Sequence, residues 1–327
     1  DGNRLAVGSR YYDTPSASDN KGKVYLYTFT DSEFSGGALA ATICDGCTPD
    51  SDPLTEPTAN SINQTLDTGD KFGTSVSLDG TRLAVGAKGA FGEGAVFLYT
   101  FTNDQFAGAA LASRICEGCS GDNDHNQALE NNAKFGNDVS LVDTMLAVLA
   151  WKGHGDDSAS RGENTARGEV YLYNLPNNDF SGGATLQAMI GEDYGSGNVG
   201  RDIHLEGDDK YALEEVSIDK DSDGVFLAIG HTRDYGGSGG TANYEGSVNI
   251  YSFIDTKFNG GVLEGIVGRD YTDTQDVHVD HIIDGSLSQF GYGLSLNGNR
   301  LAAGSFGNSY GGDGLVYTFL STHEHNA

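Results

Sequence analysis

The sequence predicts an all-β protein, a β-propeller of four-stranded antiparallel blades, and three observations predict it. A set of phrases returns five times in the same order, complete or clipped, along the 327 residues, and self-similarity at such a period marks a repeat architecture. With 48 Gly, 5 Pro, 16 Tyr and 15 Phe, the chain is suited to many short strands and tight turns. Hydrophobic content of 37% is low for one deep core and fits thin layered units joined by wet loops. Four-stranded sheets stacked radially expose only short edges. A sandwich would need fewer, less regular repeats, and a solenoid shorter ones.

The elements follow in order. The first phrase opens at Phe72-Gly73, Phe135-Gly136 and Phe290-Gly291, with Tyr211-Ala212 as a divergent copy. Asp79-Gly80 and Asn297-Gly298 then mark tight hairpins that need positive φ. The second phrase, Leu83-Ala84-Val85-Gly86, has counterparts beginning at Leu5, Leu146, Leu227 and Leu301, at intervals of 78, 63, 81 and 74 residues. Its alternation of large and small side chains suits a sheet covered on both faces. The third phrase begins at Val24, Val96, Val170, Val248 and Val316, and a fourth at Phe34, Phe106, Phe180 and Phe258, each Phe followed closely by Gly. Each phrase is read as one strand. The result is a single repeat domain over 1–327 with units of roughly 1–70, 71–133, 134–209, 210–286 and 287–327. Loops between the second and third strands vary most, at 87–94, 150–168 and 231–246, and share a face with the exits of the fourth strands. Variable loops on a repeated frame are either binding elements or tolerated insertions.

The terminal units are incomplete. The first lacks its Phe-Gly strand and the last stops after the Val316 run. The chain is therefore expected to be an excised piece of a longer precursor. Its open strand edges are expected to template pairing with another chain, the protein itself being one such partner.

Phe72-Gly73-Thr74-Ser75-Val76, a turn, Leu83-Ala84-Val85-Gly86-Ala87 and Gly94-Ala95-Val96-Phe97-Leu98-Tyr99 together resemble the FG-GAP repeat of integrin-α-like propellers. The resemblance covers nearly the whole chain, although the family's Gly-Ala-Pro reads Gly86-Ala87-Lys88 here. It implies an extracellular protein serving adhesion or ligand binding, with calcium held between the first two strands of a blade; some fungal relatives are lectins. The calcium loop carries over at one position, Asp219-Lys220-Asp221-Ser222-Asp223-Gly224. Alternate carboxylates at Asp219, Asp221 and Asp223 with the Val225 carbonyl suit a hard cation. The family's closing Asp is Leu227 here, and an acidic solvated hairpin is the competing reading.

Cys44-Asp45-Gly46-Cys47 and Cys116-Glu117-Gly118-Cys119 occupy the same place in consecutive units, just after strand four. A shared zinc site is disfavoured because equivalent points on neighbouring blades lie too far apart for one ion. Two local disulfides fit an oxidising compartment, and a redox pair, which would want a helix start to lower its thiol pKa, is the alternative. The glycine-rich runs 195–200 and 236–240 match dinucleotide and nucleophile patterns without the strand–helix context that gives those patterns meaning. His278, Asp280 and His281 read as a polar linker before a metal site. Asn63-Gln64-Thr65 is an N-glycosylation acceptor if the source is a eukaryote.

A formal charge of −28 disfavours nucleic acid and anionic membranes as partners, and also simply keeps an exposed protein soluble. No apolar run reaches the ~20 residues needed to insert in a bilayer. The expectation is an extracellular, non-catalytic adhesion or structural module, a segment of a large surface protein or self-assembling filament. The alternative is a lectin-like binder using Trp151, Tyr235 and Tyr244, with Tyr11 and Tyr12, to stack on sugars. An enzyme ranks third, since no unit supplies a nucleophile with a credible base.

Overall fold

The computed structural model describes residues 2–14, 18–47, 60–153, 167–191, 200–202, 213–222, 224–234, 245–269, 271, 277–278, 289–305 and 315–320. These residues form five sheets and no helix, and the fold class is the β-propeller. The first sheet holds β1 (Arg4–Ser9), β2 (Lys23–Thr28), β3 (Ala38–Cys44) and β4 (Ile62–Asn63). The second holds β5 (Phe72–Asp79), β6 (Arg82–Ala87), β7 (Ala95–Thr100), β8 (Ala110–Cys116) and β9 (His125–Asn126). β10 (Phe135–Val142), β11 (Met145–Ala150), β12 (Glu169–Asn174), β13 (Thr185–Gly191) and β14 (Gly200–Asp202) make the third. β15 (Leu213–Lys220), β16 (Val225–His231), β17 (Ser247–Phe253), β18 (Val262–Gly268) and β19 (Val277–His278) make the fourth. β20 (Phe290–Asn297), β21 (Arg300–Ser305) and β22 (Leu315–Leu320) make the fifth. We call these sheets blades 1 to 5.

Blade 2 shows how the phrases fold. Asp79 pairs with Arg82 across a two-residue hairpin, and Gly80 there has φ +57°. β6 to β8 continue antiparallel. The last strand, β9, is only two residues long and runs parallel to β8. Blades 1, 3 and 4 carry the same short parallel strand, which the four-strand expectation does not contain.

The Phe-x-Gly-Gly phrase is not the fourth strand. It is the turn that precedes it, and Phe34, Phe106, Phe180 and Phe258 sit in the left-handed region with φ between +58° and +60°. That conformation costs an aromatic residue about 1–3 kcal/mol. Local hydrogen bonds offset it: Asn103 Oδ1 accepts from the amides of Gln105 and Ala107, Asp31 Oδ1 from Glu33 and Ser35, and Asp255 Oδ1 from Lys257 and Asn259. In blades 1, 2 and 4 the ring then meets the aromatic residue at the end of the preceding strand edge to face, with centroids 5.0 Å apart for Phe29 and Phe34 and for Phe101 and Phe106, and 5.2 Å for Phe253 and Phe258. Burial of the side chain at Phe106, Phe180 and Phe258 adds about 1.5–3 kcal/mol each.

The chain packs as two compact units, Asp1–Ala150 with Tyr173–Leu186, and Trp151–Leu172 with Gln187–Ala327. Within the first, one joint is used twice. The Gly that ends the second phrase lies under the carbonyl of the Phe-Gly glycine of the next blade: a Cβ on Gly8 would stand 2.1 Å from Gly73 O, and on Gly86 2.1 Å from Gly136 O. Alternate side chains of the first strand then bond across. Ser75 Oγ and Ser77 Oγ accept from the amides of Val139 and Leu141 at 3.1 and 2.9 Å, and Asp79 Oδ2 from that of Asp143 at 2.7 Å. At the hairpin end, Arg4 Nη1 donates to Gly80 O at 2.6 Å and stacks over Phe106 at 5.9 Å. Arg82 repeats both interactions, with Asp143 O and the Phe180 ring. Between these polar ends, Val24, Leu26, Ala41 and Ile43 of blade 1 share a core with Phe72, Leu83, Val85, Phe97 and Tyr99 of blade 2.

The second unit uses the same joint once among its described residues. Gly230 lies under Gly291 O with 2.1 Å to a built Cβ. Ser217 Oγ accepts from Leu296 N–H at 2.9 Å, and Asp219 Oδ2 from Gly298 N–H. Ala228 and Val248 pack with Phe290, Leu301 and Ala303.

Candidate functional site

The variable chemistry of the molecule gathers where the loops between second and third strands meet the exits of the fourth. In blade 1, Lys21 Nζ of the loop bonds Asp45 Oδ2 of the exit at 2.5 Å. In blade 2, Arg114 of β8 lies over the Phe91 ring of the loop at 5.7 Å, and its guanidinium pairs with Asp124 at 2.6 Å. The Asp124 carboxyl is held below the usual range because the Arg114 bond and the Gly121 and Arg114 amides outweigh the cost of burial, the largest single influence.

Among the described residues, blade 4 carries the densest cluster. Asp234 and Glu245 are buried carboxylates on the loop after β16, and Arg269 and Tyr271 follow β18. Tyr271 donates its hydroxyl proton to Asp234 Oδ2, and Arg269 Nη1 reaches Glu245 Oε1 at 2.7 Å. His231 is buried beside them, its Nδ1 3.9 Å from Asp234 Oδ2. Burial, helped by the Arg167 charge, pushes the His231 pKa down against the pull of Asp234. The folded state therefore prefers neutral His231, while the unfolded chain takes up a proton near 6.5. This contribution to stability is full above about pH 6.5 and is lost as pH falls below it. Thermal unfolding of the wild type is expected to shift down between about pH 7 and 5, and that shift to shrink in His231→Gln; an unchanged pH dependence in the variant would refute the assignment.

The first residue of the third strand sets the polarity of each loop end. Lys23 is fully buried with its ammonium 4.8 Å from the ring centres of both Tyr12 and Tyr25. Glu169, buried at the same position of blade 3, accepts from Tyr171 OH at 2.8 Å. Ala95 and Ser247 occupy the position in blades 2 and 4. The sequence signal was a charge directly before Val-Tyr-Leu-Tyr, where blade 2 has alanine.

Both cysteine pairs are disulfides, Cys44–Cys47 and Cys116–Cys119, with Cα atoms 5.2 and 5.6 Å apart. Each closes the turn between the fourth strand and the short parallel strand. A recurring Asn-Gln pair locks that turn: Asn63 Oδ1 accepts from Gly46 N–H at 2.7 Å and Asn126 Oδ1 from Gly118 N–H at 2.8 Å. The glutamines reach forward, Gln64 Oε1 accepting from Tyr99 OH at 2.6 Å and Gln127 Oε1 from Tyr173 OH at 2.9 Å. Burial raises both tyrosine pKa values well above the ordinary range. So short a covalent loop constrains the unfolded chain little. Replacing Cys44 and Cys47 by Ala is expected to cost about 2 kcal/mol, read by denaturant unfolding; a loss of less than half that would leave the Asn63 lock as the main fastening.

Of the residues expected to bind calcium, Asp219 and Asp221 are near the β15–β16 turn, and Asp223 lies outside the described residues. Asp219 Oδ2 is engaged by Gly298 N–H, the task of Asp79 in blade 2. The Asp221 amide donates to Gly224 O at 3.1 Å, and Gly224 has φ +149°. Val225 begins β16. No group of three His, Cys, Asp or Glu able to hold a metal occurs among the described residues. Trp151 is half-buried, its Nε1 donating to Glu214 Oε1 at 2.9 Å. Tyr235 and Tyr244 lie outside the described residues, as do Asp280 and His281; of His278 only the backbone is described. Tyr11 is exposed, with Arg10 4.9 Å from its ring centre.

The stretch from Leu66 through β5, β6 and β7 to Tyr99 holds the Phe-Gly strand, the hairpin and the glycine on which the next blade rests. Residues 66–99 match the FG-GAP repeat. Among the described residues its joint recurs between blades 1 and 2, blades 2 and 3, and blades 4 and 5. No curated protein matches the chain. Among solved structures it is similar to a putative 6-phosphogluconolactonase from Bacteroides uniformis, at 11% identity and TM-score 0.40, covering 98% of this chain and 83% of that one. A GH32 β-fructofuranosidase from Bombyx mori aligns at 9% identity and TM-score 0.39, over 93% of this chain and 52% of that one. A GH43 endo-arabinanase from Bacillus licheniformis aligns at 12% and 0.37, over 91% and 85%. No helix among the described residues is long and apolar enough to cross a membrane.

Proposed function

We propose that this chain is an extracellular, non-catalytic building module, a segment of a self-assembling surface protein or filament that works through the faces of its blades. One observation carries the reading. Apolar positions fully buried elsewhere in the repeat are exposed at one end or the other: Leu5 and Val7 are 42% and 40% exposed where Leu83 and Val85 are 0%, and Val316 is 74% exposed where Val24, Val96 and Val248 are 0%. Apolar surface of that kind marks an interaction face. Local disulfides and the FG-GAP match support an oxidising, extracellular setting. In the blade 4 cluster both acids are engaged, Glu245 by Arg269 and Asp234 by the Tyr271 hydroxyl, which suits a fastening better than a reactive centre. Negative-stain images of the purified chain are expected to show particles joined to one another. Isolated particles, together with turnover on a glycoside or lactone panel or a specific glycan-array signal, would overturn the reading in favour of an enzyme or a lectin.

Calcium in the 219–225 loop belongs to the same proposal. Asp219, Asp221, Asp223 and the Val225 carbonyl would supply hard oxygen donors, with Asp219 shared between the ion and the Gly298 amide. A chelator is expected to lower the unfolding temperature of the wild type and leave Asp221→Ala unchanged. Identical melting with and without chelator in the wild type would remove calcium from the account.

A further inference from the structure

The two polar atoms of the Asn63 side chain are used differently. Oδ1 has a fixed task, accepting from Gly46 N–H at 2.7 Å. A backbone amide donor must face the carbonyl oxygen of an Asn, so this bond turns Nδ2 away from Gly46. The side chain is exposed, and Nδ2 makes no hydrogen bond among the described residues. Two residues on, Thr65 is exposed as well, and its hydroxyl is not engaged among those residues. Gln64 between them reaches the other way, to Tyr99 OH at 2.6 Å. Asn63-Gln64-Thr65 is the one Asn-x-Ser/Thr triplet in the 327 residues, and its middle residue is not proline.

Blade 2 supplies the comparison within the molecule. Asn126 on β9 stands where Asn63 stands on β4, is also exposed, and accepts from Gly118 N–H at 2.8 Å. Gln127 reaches Tyr173 as Gln64 reaches Tyr99. Here the triplet ends in Ala128, and the hydroxyl is missing. The turn, the lock and the exposure recur, and only the acceptor pattern differs.

We propose that Asn63 is a modification site, the acceptor of one N-linked glycan. In the transfer step Nδ2 attacks the anomeric carbon of an oligosaccharide carried on a lipid diphosphate. The N–C bond forms, the C–O bond to the diphosphate breaks, and the amide gives up one proton as the lipid diphosphate leaves. The substituted amide keeps its carbonyl, so Oδ1 still accepts from Gly46 N–H and the turn closes with the sugar in place. β4 is the last strand in the sheet of blade 1, and a polar cover at a sheet edge opposes pairing with a foreign strand. The proposal rests on the extracellular reading, because the sugar donor and disulfide formation belong to the same secretory route.

The test is intact mass and peptide mapping of the full chain secreted from a eukaryotic cell, before and after an amidase that frees the glycan. The wild type is expected to lose the mass of one glycan to the amidase, leaving aspartate at position 63. Thr65→Ala keeps the Asn63 lock; it is expected to emerge at its polypeptide mass with the circular dichroism of the wild type. Ala128→Thr completes the triplet at Asn126 and is expected to carry a second glycan. A bare Asn63 in chains with both disulfides formed overturns the glycan and leaves the extracellular reading standing. A bare Asn63 together with reduced cysteines overturns both. A single glycan on Ala128→Thr would show that this turn does not qualify its asparagine as an acceptor, and overturns the structural ground of the assignment.

Discussion

Gly86→Ala is expected to destabilise the first unit by about 3 kcal/mol or more, the top of the range for overpacking. The added methyl would stand 2.1 Å from the Gly136 carbonyl, 3.0 Å from its carbon and 3.4 Å from its Cα. All are backbone atoms, so no side chain can swing away. Relief requires blade 2 to move off blade 3, which breaks the amide bonds to Ser77 and Asp79 as well. Gly304→Ala is the control. It makes the same chemical change at the same place in the repeat, but with 3.6 Å of room. It should be neutral, or stabilise by up to about 1 kcal/mol through the lost entropy of the unfolded glycine. Urea unfolding of the two variants separates the explanations: equal effects would mean that glycine serves strand conformation and not the close approach of blades.

Phe106→Ala is expected to cost about 3–5 kcal/mol, as for other fully buried aromatic side chains. The ring is the floor on which Arg4 rests at 5.9 Å and the edge partner of Phe101 at 5.0 Å. Its removal takes the aromatic cover from a buried guanidinium that also bonds Gly80 O and Asp104. Phe34→Ala, at the equivalent place in blade 1, should cost less than about 1 kcal/mol in the isolated chain, because that ring is largely open, with Phe29 as its edge partner among the described residues. Similar losses in the two variants would show that the left-handed turn, and not the covered ring, is what the phenylalanine provides.

These pairs show what the sequence discloses and what it hides. Period and phrase locate three strands of blades 2 to 5 and two of blade 1 because strand residues alternate and hairpins need special residues: Leu83-Ala84-Val85-Gly86 is a strand buried on both faces, and Gly80 takes the positive φ. The fourth phrase misleads for a physical reason. An aromatic residue before Gly-Gly reads as a strand end, whereas each of these phenylalanines follows an Asx residue by three positions, and at Asp31, Asn103 and Asp255 the side-chain oxygen folds the chain back. The short parallel strands hold only two or three residues each, below any periodicity. Their Asn-Gln pairs look like loop filler until the tyrosines of the next blade are beside them. Asp219 illustrates the opposite hazard. Its spacing with Asp221 spells a cation loop, yet it is also the counterpart of Asp79 and carries a bond between blades.

Sedimentation equilibrium of the wild-type chain at about 0.15 M ionic strength, followed from low to high concentration, tests the central claim most directly. The account predicts a mass that rises from 34.4 kDa through its multiples. A single species of 34.4 kDa at every concentration would contradict it.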